Sequence, residues 1–117
     1  MQAAQTVHRA QSDGLKVALF DDAGNLLWYS PDWFNAVEAC LANPAEMHGH
    51  HWLEFVRDRD MPVVHAWLDA GEGAAVRFVF HGAARDCWLM VALVKHRVGS
   101  YWLAVGDNRL ARPEELL

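Results

Sequence analysis

Between Gly49 and Trp88 the chain switches from a helical to a strand-like hydrophobic period, and that order narrows the folds open to it. Gly49-His50-His51-Trp52 forms a short aromatic turn, with a short helix expected over residues 52–56. Asp60 then stands where a helix is capped, ahead of Val63, Val64, Trp67 and Leu68. Those four recur at the three- and four-residue spacing of an amphipathic helix and are expected to form its buried stripe. Asp69-Ala70-Gly71-Glu72-Gly73 ends it. Val76, Phe78 and Phe80 next alternate with Arg77 and Val79, the period of a strand with one face turned inward. His81-Gly82-Ala83-Ala84 turns the chain into a strand over residues 87–94, and residues 97–100 turn it again into a last strand over 101–105.

The first third supplies the missing parts. Residues 15–20 and 26–29 are short apolar runs around Asp21-Asp22-Ala23-Gly24-Asn25, a turn composition, so they read as a hairpin. Ser30-Pro31-Asp32 has the chemistry of a helix start: a hydroxyl cap, a proline for the first turn and a carboxylate for the positive dipole end. Trp33, Phe34, Val37, Cys40 and Leu41 share one face of that helix, and Asn43-Pro44 stops it. Residues 1–11, rich in Ala and Gln, read as a further helix closed by Ser12-Asp13-Gly14. The order β-β-α-α-α-β-β-β places the chain in the α+β class. It predicts a five-stranded antiparallel sheet with helices packed on one face and a hollow between the layers.

At 117 residues the chain makes one domain, and a 53% hydrophobic content with six Trp gives it a substantial core. No run approaches the roughly eighteen apolar residues of a membrane span. The polar first ten residues carry no secretory pattern, and Cys40 and Cys87 are expected as buried, reduced thiols. A cytoplasmic location follows as an expectation. The net charge of −5 leaves no basic stripe for nucleic acid.

These segments together resemble a PAS domain. Phe20-Asp21-Asp22-Ala23-Gly24 matches the D-x-x-G turn of that family, and Ser30-Pro31 stands where Asn-Pro usually leads into the first helix. Pro44-Ala45-Glu46-Met47-His48-Gly49 echoes its Pro-Glu-Glu-Leu-x-Gly. Gly49-His50-His51-Trp52 and Arg57-Asp58-Arg59-Asp60 echo G-x-N-W and H-P-D-D, and His81-Gly82 with Trp88 echoes the D-G turn before a strand tryptophan. The resemblance covers residues 15–107, leaving 1–14 as a flank and 108–117 as a C-terminal flank or the start of a signalling helix. Three departures stand out. Gly-Tyr after the first helix is missing, the closing Asp-Ile-Thr is reduced to Gly106-Asp107-Asn108, and Trp52 occupies the place of the reactive cysteine of flavin-binding members.

The resemblance implies a sensory, signal-transducing module that binds a small molecule, mediates homodimerisation, or both. It would be the input domain of a sensor kinase, cyclase or transcriptional regulator, with an output domain in cis or trans. Phe34, Val37, Trp52, Phe55, Val64, Trp67, Phe78, Met90 and Trp102 are the residues expected to face the ligand cavity. No cofactor is expected, haem and flavin included. Haem-binding members take an axial ligand from the helix that carries His65, but His65 lies about 130° from the centre of the apolar stripe at 100° per residue and should face solvent. The oxygen-sensing register instead falls on Met61, a weak iron ligand. Arg112-Pro113-Glu114-Glu115-Leu116-Leu117 reads as the beginning of a helix that would lead to an output domain.

His48, His50 and His51 cluster around Gly49, but no spacing fixes a further ligand, so a polar loop without metal is expected. His51 is expected to bond backbone where the family has Asn. No G-x-S-x-G, phosphate loop or nucleophile with a base is present, so the chain is read as a non-enzyme. Two readings compete with the sensor: a ligand-free interaction or adaptor module, and a small α+β-cone enzyme with a His/Asp pair in the cavity.

Overall fold

The computed structural model describes residues 16–30, 47–81 and 88–117. Strands β1 (Lys16–Phe20), β2 (Leu26–Tyr29), β3 (Ala75–His81), β4 (Trp88–Val98) and β5 (Tyr101–Leu110) form one antiparallel sheet in the order β2-β1-β5-β4-β3. Helix α1 (Met61–Asp69) packs on one face, preceded by 3₁₀ turns at His51–Phe55 and Asp58–Asp60. The expected helices over 1–11 and 31–43, together with Phe34, Val37, Cys40 and Cys87, lie outside the described residues, while Ser30, expected as a helix cap, accepts the Val17 N–H with its hydroxyl.

Register sorts the side chains. Phe20 faces Trp102, Ala18 faces Ala104, Phe78 faces Val91 and Phe80 faces Leu89, all on the inner side under α1. These residues join Leu26, Met47, Trp52, Val56, Val64 and Trp67 in one buried cluster. The hairpin turn is built as the sequence indicates. Asp21 accepts the N–H groups of Ala23 and Asn25 and a side-chain bond from Asn25. Gly24 adopts a φ of +83°, open to glycine at little cost. A Cβ there would also stand 3.3 Å from Leu68, so the turn sits tightly under the end of α1.

Several expectations are corrected. Val63 is 49% exposed; the buried stripe of this nine-residue helix narrows to Val64 and Trp67, with Leu68 half-buried. Val79 does lie opposite Phe78 and Phe80, but it is fully buried. It shares the outer row with Met90 and Arg109, at the corner where the chain's end folds back. Asp60 makes no capping bond to α1. Its carboxylate accepts the backbone N–H of Val79 and a two-point contact from Arg57, whose own N–H donates to the Val79 carbonyl. The helix start is thereby fastened to the β3 edge, because an N–H on an edge strand needs a partner more than the first turn of a half-exposed helix does.

β4 and β5 run on to Val98 and Leu110, leaving only Gly99 and Ser100 between them, and β5 passes the expected boundary at 107. Gly106 sits mid-strand with Leu93 and Lys16 as lateral neighbours. Pro113–Leu116 forms a 3₁₀ turn. Glu115 accepts the Arg112 N–H and both terminal nitrogens of Arg109 at 2.7 and 2.8 Å, while Arg57 donates to its carbonyl. Those contacts hold the Glu115 carboxyl at about 2, with the Arg109 bonds as the main cause.

Candidate functional site

The inner face is lined by rings in mutual contact. Phe20 meets Trp52 edge-on at 5.2 Å and Trp67 at 6.0 Å, Trp52 lies 6.3 Å from Phe78, and Phe78 meets Phe80 at 5.0 Å. Contacts of this geometry add to the apolar area the rings bury. Indole N–H groups need acceptors when buried, and both find backbone: Trp52 donates to the Gly24 carbonyl at 3.0 Å and Trp67 to the Ala74 carbonyl at 2.9 Å.

The alternation of β4 carries a charge into this aromatic face. Leu89, Val91 and Leu93 point inward, and Lys95 follows in the same parity, only 2% exposed. Its Nζ stands 4.3 Å from the centre of the Trp102 ring and 5.4 Å from that of Trp67. It donates to the Leu68 carbonyl at 3.1 Å, in the last turn of α1, where carbonyls lack helical partners and the dipole is negative. Burial lowers the Lys95 pKa; Asp69 and Asp22 pull it back up, and Arg97 pushes it down again. An ammonium has three donors, and among the described residues one goes to Leu68, leaving the others toward ring faces and the adjoining cleft.

That cleft is lined by Phe20, Asp21, Gly24, Trp67, Leu68, Lys95 and Trp102. Its enclosed space is about 10 Å³, the size of a single water position. At its mouth Asp22 accepts from the Arg97 guanidinium and, at 3.1 Å, from the Trp102 indole N–H. Arg97 also lies over the Trp102 ring at 4.9 Å. The Arg97 and Trp102 bonds hold the Asp22 carboxyl below its ordinary value. The β1–β2 turn is thus clasped to the β4–β5 hairpin across the cleft.

Of the residues expected to face the cavity, Trp52, Val64, Trp67, Phe78 and Trp102 converge on this inner side. Phe55 is half-buried against the cluster, its ring 6.3 Å from His81. Met90 is corrected: it pairs with Val79 and Arg109 on the outer face, one residue out of phase with Leu89 and Val91. Lys95, Asp22 and Arg97 were not among the expected residues. Extending the β4 alternation past residue 94 finds Lys95, while Asp22 and Arg97 meet only through the register of the folded sheet.

His65 is exposed, as its place on the wheel indicates. The backbone-bonding role expected of His51 falls to His50, which contacts the Ala23 carbonyl at 3.0 Å; His51 is exposed, 3.7 Å from Glu54. Among the described residues no group of three His, Cys, Asp or Glu side chains is arranged to hold a metal ion. None of their helices is long and apolar enough to cross a membrane.

A five-stranded antiparallel sheet of this strand order, with α1 and the 3₁₀ turns over its aromatic face, is the PAS fold. The chain is similar to the crystal structure of the PAS domain of an HTR-like protein from Haloarcula marismortui, with a TM-score of 0.59 and 13% sequence identity. The match covers 93% of this chain and all of that one. No family model matches the sequence, and no curated protein does so.

Proposed function

We propose that the chain is a sensory, signal-transducing module that takes a small ligand bearing an oxygen acceptor against Lys95 on the inner face. The observation that carries this reading is the buried ammonium held between two indoles with donors to spare, beside a cleft whose Trp102 wall is bonded by Asp22. A carboxylate or carbonyl ligand would take those donors and move the clasp, so that binding favours the arrangement in which the β1–β2 turn is released. Contacts already in place lead onward. Asp60, at the start of α1, holds Arg57, and Arg57 holds the C-terminal turn through the Glu115 carbonyl. In a larger regulator this turn is where a kinase, cyclase or DNA-binding output would follow, and the module would be non-enzymatic and cytoplasmic. Trp28 (51% exposed), Tyr101 (45%) and Val98 (50%) give the sheet apolar surface suited to a homodimer.

One observation favours a second reading. This cleft has space for about one water, so the inner face beside Lys95 is nearly filled, as in a ligand-free interaction or adaptor module. A thermal-shift screen of small carboxylic and carbonyl compounds, on wild type and Lys95→Met, separates the two. The sensor reading expects hits on wild type that vanish in the variant. No hit, with a dimer in sedimentation that Trp28→Glu dissociates, supports the adaptor.

A further inference from the structure

β3 is an edge strand, and among the described residues its edge is met only toward its end, by Val56 opposite Phe80 and by Arg57 and Asp60 at Val79. The Val79 N–H and C=O point away from β4, since they bond Asp60 and Arg57. The β3–β4 register runs without a shift from Ala75 to His81, so Ala75 and Arg77, in the parity of Val79, also aim their N–H and C=O groups outward. Where Val79 finds Arg57 and Asp60, Ala75 and Arg77 open into an apolar groove of about 530 Å³ between β3 and α1. Small residues, Ala66, Ala70 and Ala74, line it with Val63 and Trp67, so another backbone can come close. Among the described residues the Arg77 guanidinium, at the groove's lip, makes no ion pair or hydrogen bond.

We infer that this groove is a docking site for an extended, acidic peptide segment of a partner protein, added as a sixth strand on β3. Open backbone groups in an edge select a strand over a helix or a small molecule, because only another strand repeats donors and acceptors at that spacing. The two sides of the groove fix the pattern of the peptide. Side chains on the inner side meet Val63, Ala66 and Trp67 and must be apolar. Those on the outer side lie beside Arg77 and gain from a carboxylate. The recognised segment therefore alternates apolar and acidic residues. A second copy of this chain fits less well: pairing two β3 edges about a dyad brings two unpaired guanidinium groups to the same side of the joined strands, where like charges destabilise.

The test uses the full chain and two fluorescent peptides, one alternating valine with glutamate and one alternating valine with lysine, read by anisotropy. The glutamate peptide is expected to bind saturably and the lysine peptide at least tenfold more weakly. Arg77→Glu should invert that order, and Ala66→Phe, which fills the groove from an exposed helix position, should abolish binding of both. Hydrogen exchange at the Ala75 and Arg77 amides should slow on binding, and circular dichroism checks that both variants fold. Failure of the glutamate peptide to saturate, or binding indifferent to both substitutions, overturns the inference. So does a dimer of the chain that Ala66→Phe disrupts, which would make a second copy the occupant.

Discussion

Replacing Trp52 by Phe tests how much of the fold depends on one indole. Trp52 is 2% exposed, in edge-on contact with Phe20, and its N–H holds the carbonyl of buried Gly24 in the β1–β2 turn at 3.0 Å. A phenyl ring preserves the aromatic contact but leaves a void of roughly 40 Å³, which at ~24 cal/mol per Å³ costs about 1 kcal/mol. It also strands the Gly24 carbonyl, and an unsatisfied buried acceptor costs roughly 1–3 kcal/mol. Together these remove about 2–4 kcal/mol, a large share of the roughly 5–15 kcal/mol that holds a domain. Urea denaturation followed by far-ultraviolet circular dichroism measures the loss, and an unchanged m-value assigns it to the folded state. Amide exchange at Asn25 and Leu26 should quicken in parallel, because the same bond anchors their turn. A loss below about 1 kcal/mol would refute the reasoning, since the void alone costs that much.

Three further outcomes are expected. Gly106→Ala should prevent folding, because its Cβ would stand 1.8 Å from the Ala92 carbonyl oxygen, in backbone held on both sides of a central strand; a soluble variant with wild-type circular dichroism would refute this. Lys95→Met should change the pH dependence of stability. The buried ammonium has a pKa below that of the unfolded chain, so wild type gains stability as pH rises through the folded value toward ~10.4. The variant should lack that gain, and parallel urea profiles for the two proteins at pH 7 and 10 would contradict it. The Glu115 carboxyl should titrate near 2 by carbonyl NMR, its contribution present above the ordinary carboxylate range and lost as pH falls toward that value; a midpoint at 4 would mean that Arg109 does not hold it.

The five strands and their antiparallel pairing were legible because turn chemistry and strand period agree at two hairpins, from Asp21 to Gly24 and again from Gly99 to Ser100, whereas the order of the strands in the sheet was not read. The aromatic side of the site was legible for the same reason: alternation alone turns Phe78 inward, and helical spacing does so for Val64 and Trp67. At Met90 and Lys95 residue type and strand parity disagree. Both follow from the phase of one strand, but Met90 looks apolar and Lys95 looks like a surface residue, so residue type overrode parity. Asp60 has the composition of a helix cap, and only the position of the β3 edge reveals that its carboxylate is needed elsewhere. The Asp22 clasp joins residues 75 positions apart and leaves no local trace in the sequence.

The placement of β5 has a consequence for biogenesis. β1 pairs with β2 on one side, but its other flank is completed by β5, the last in sequence of the sheet's five strands. A two-stranded hairpin is marginal in water by itself, so the opening segment must stay unsatisfied while the rest of the chain emerges. Such late, long-range closure slows folding, and it makes the product sensitive to any truncation or ribosomal stall before Leu110. Chains truncated ahead of that point would offer a bare β1 flank to other proteins and to chaperones, whereas released chains that contain all of β5 would not.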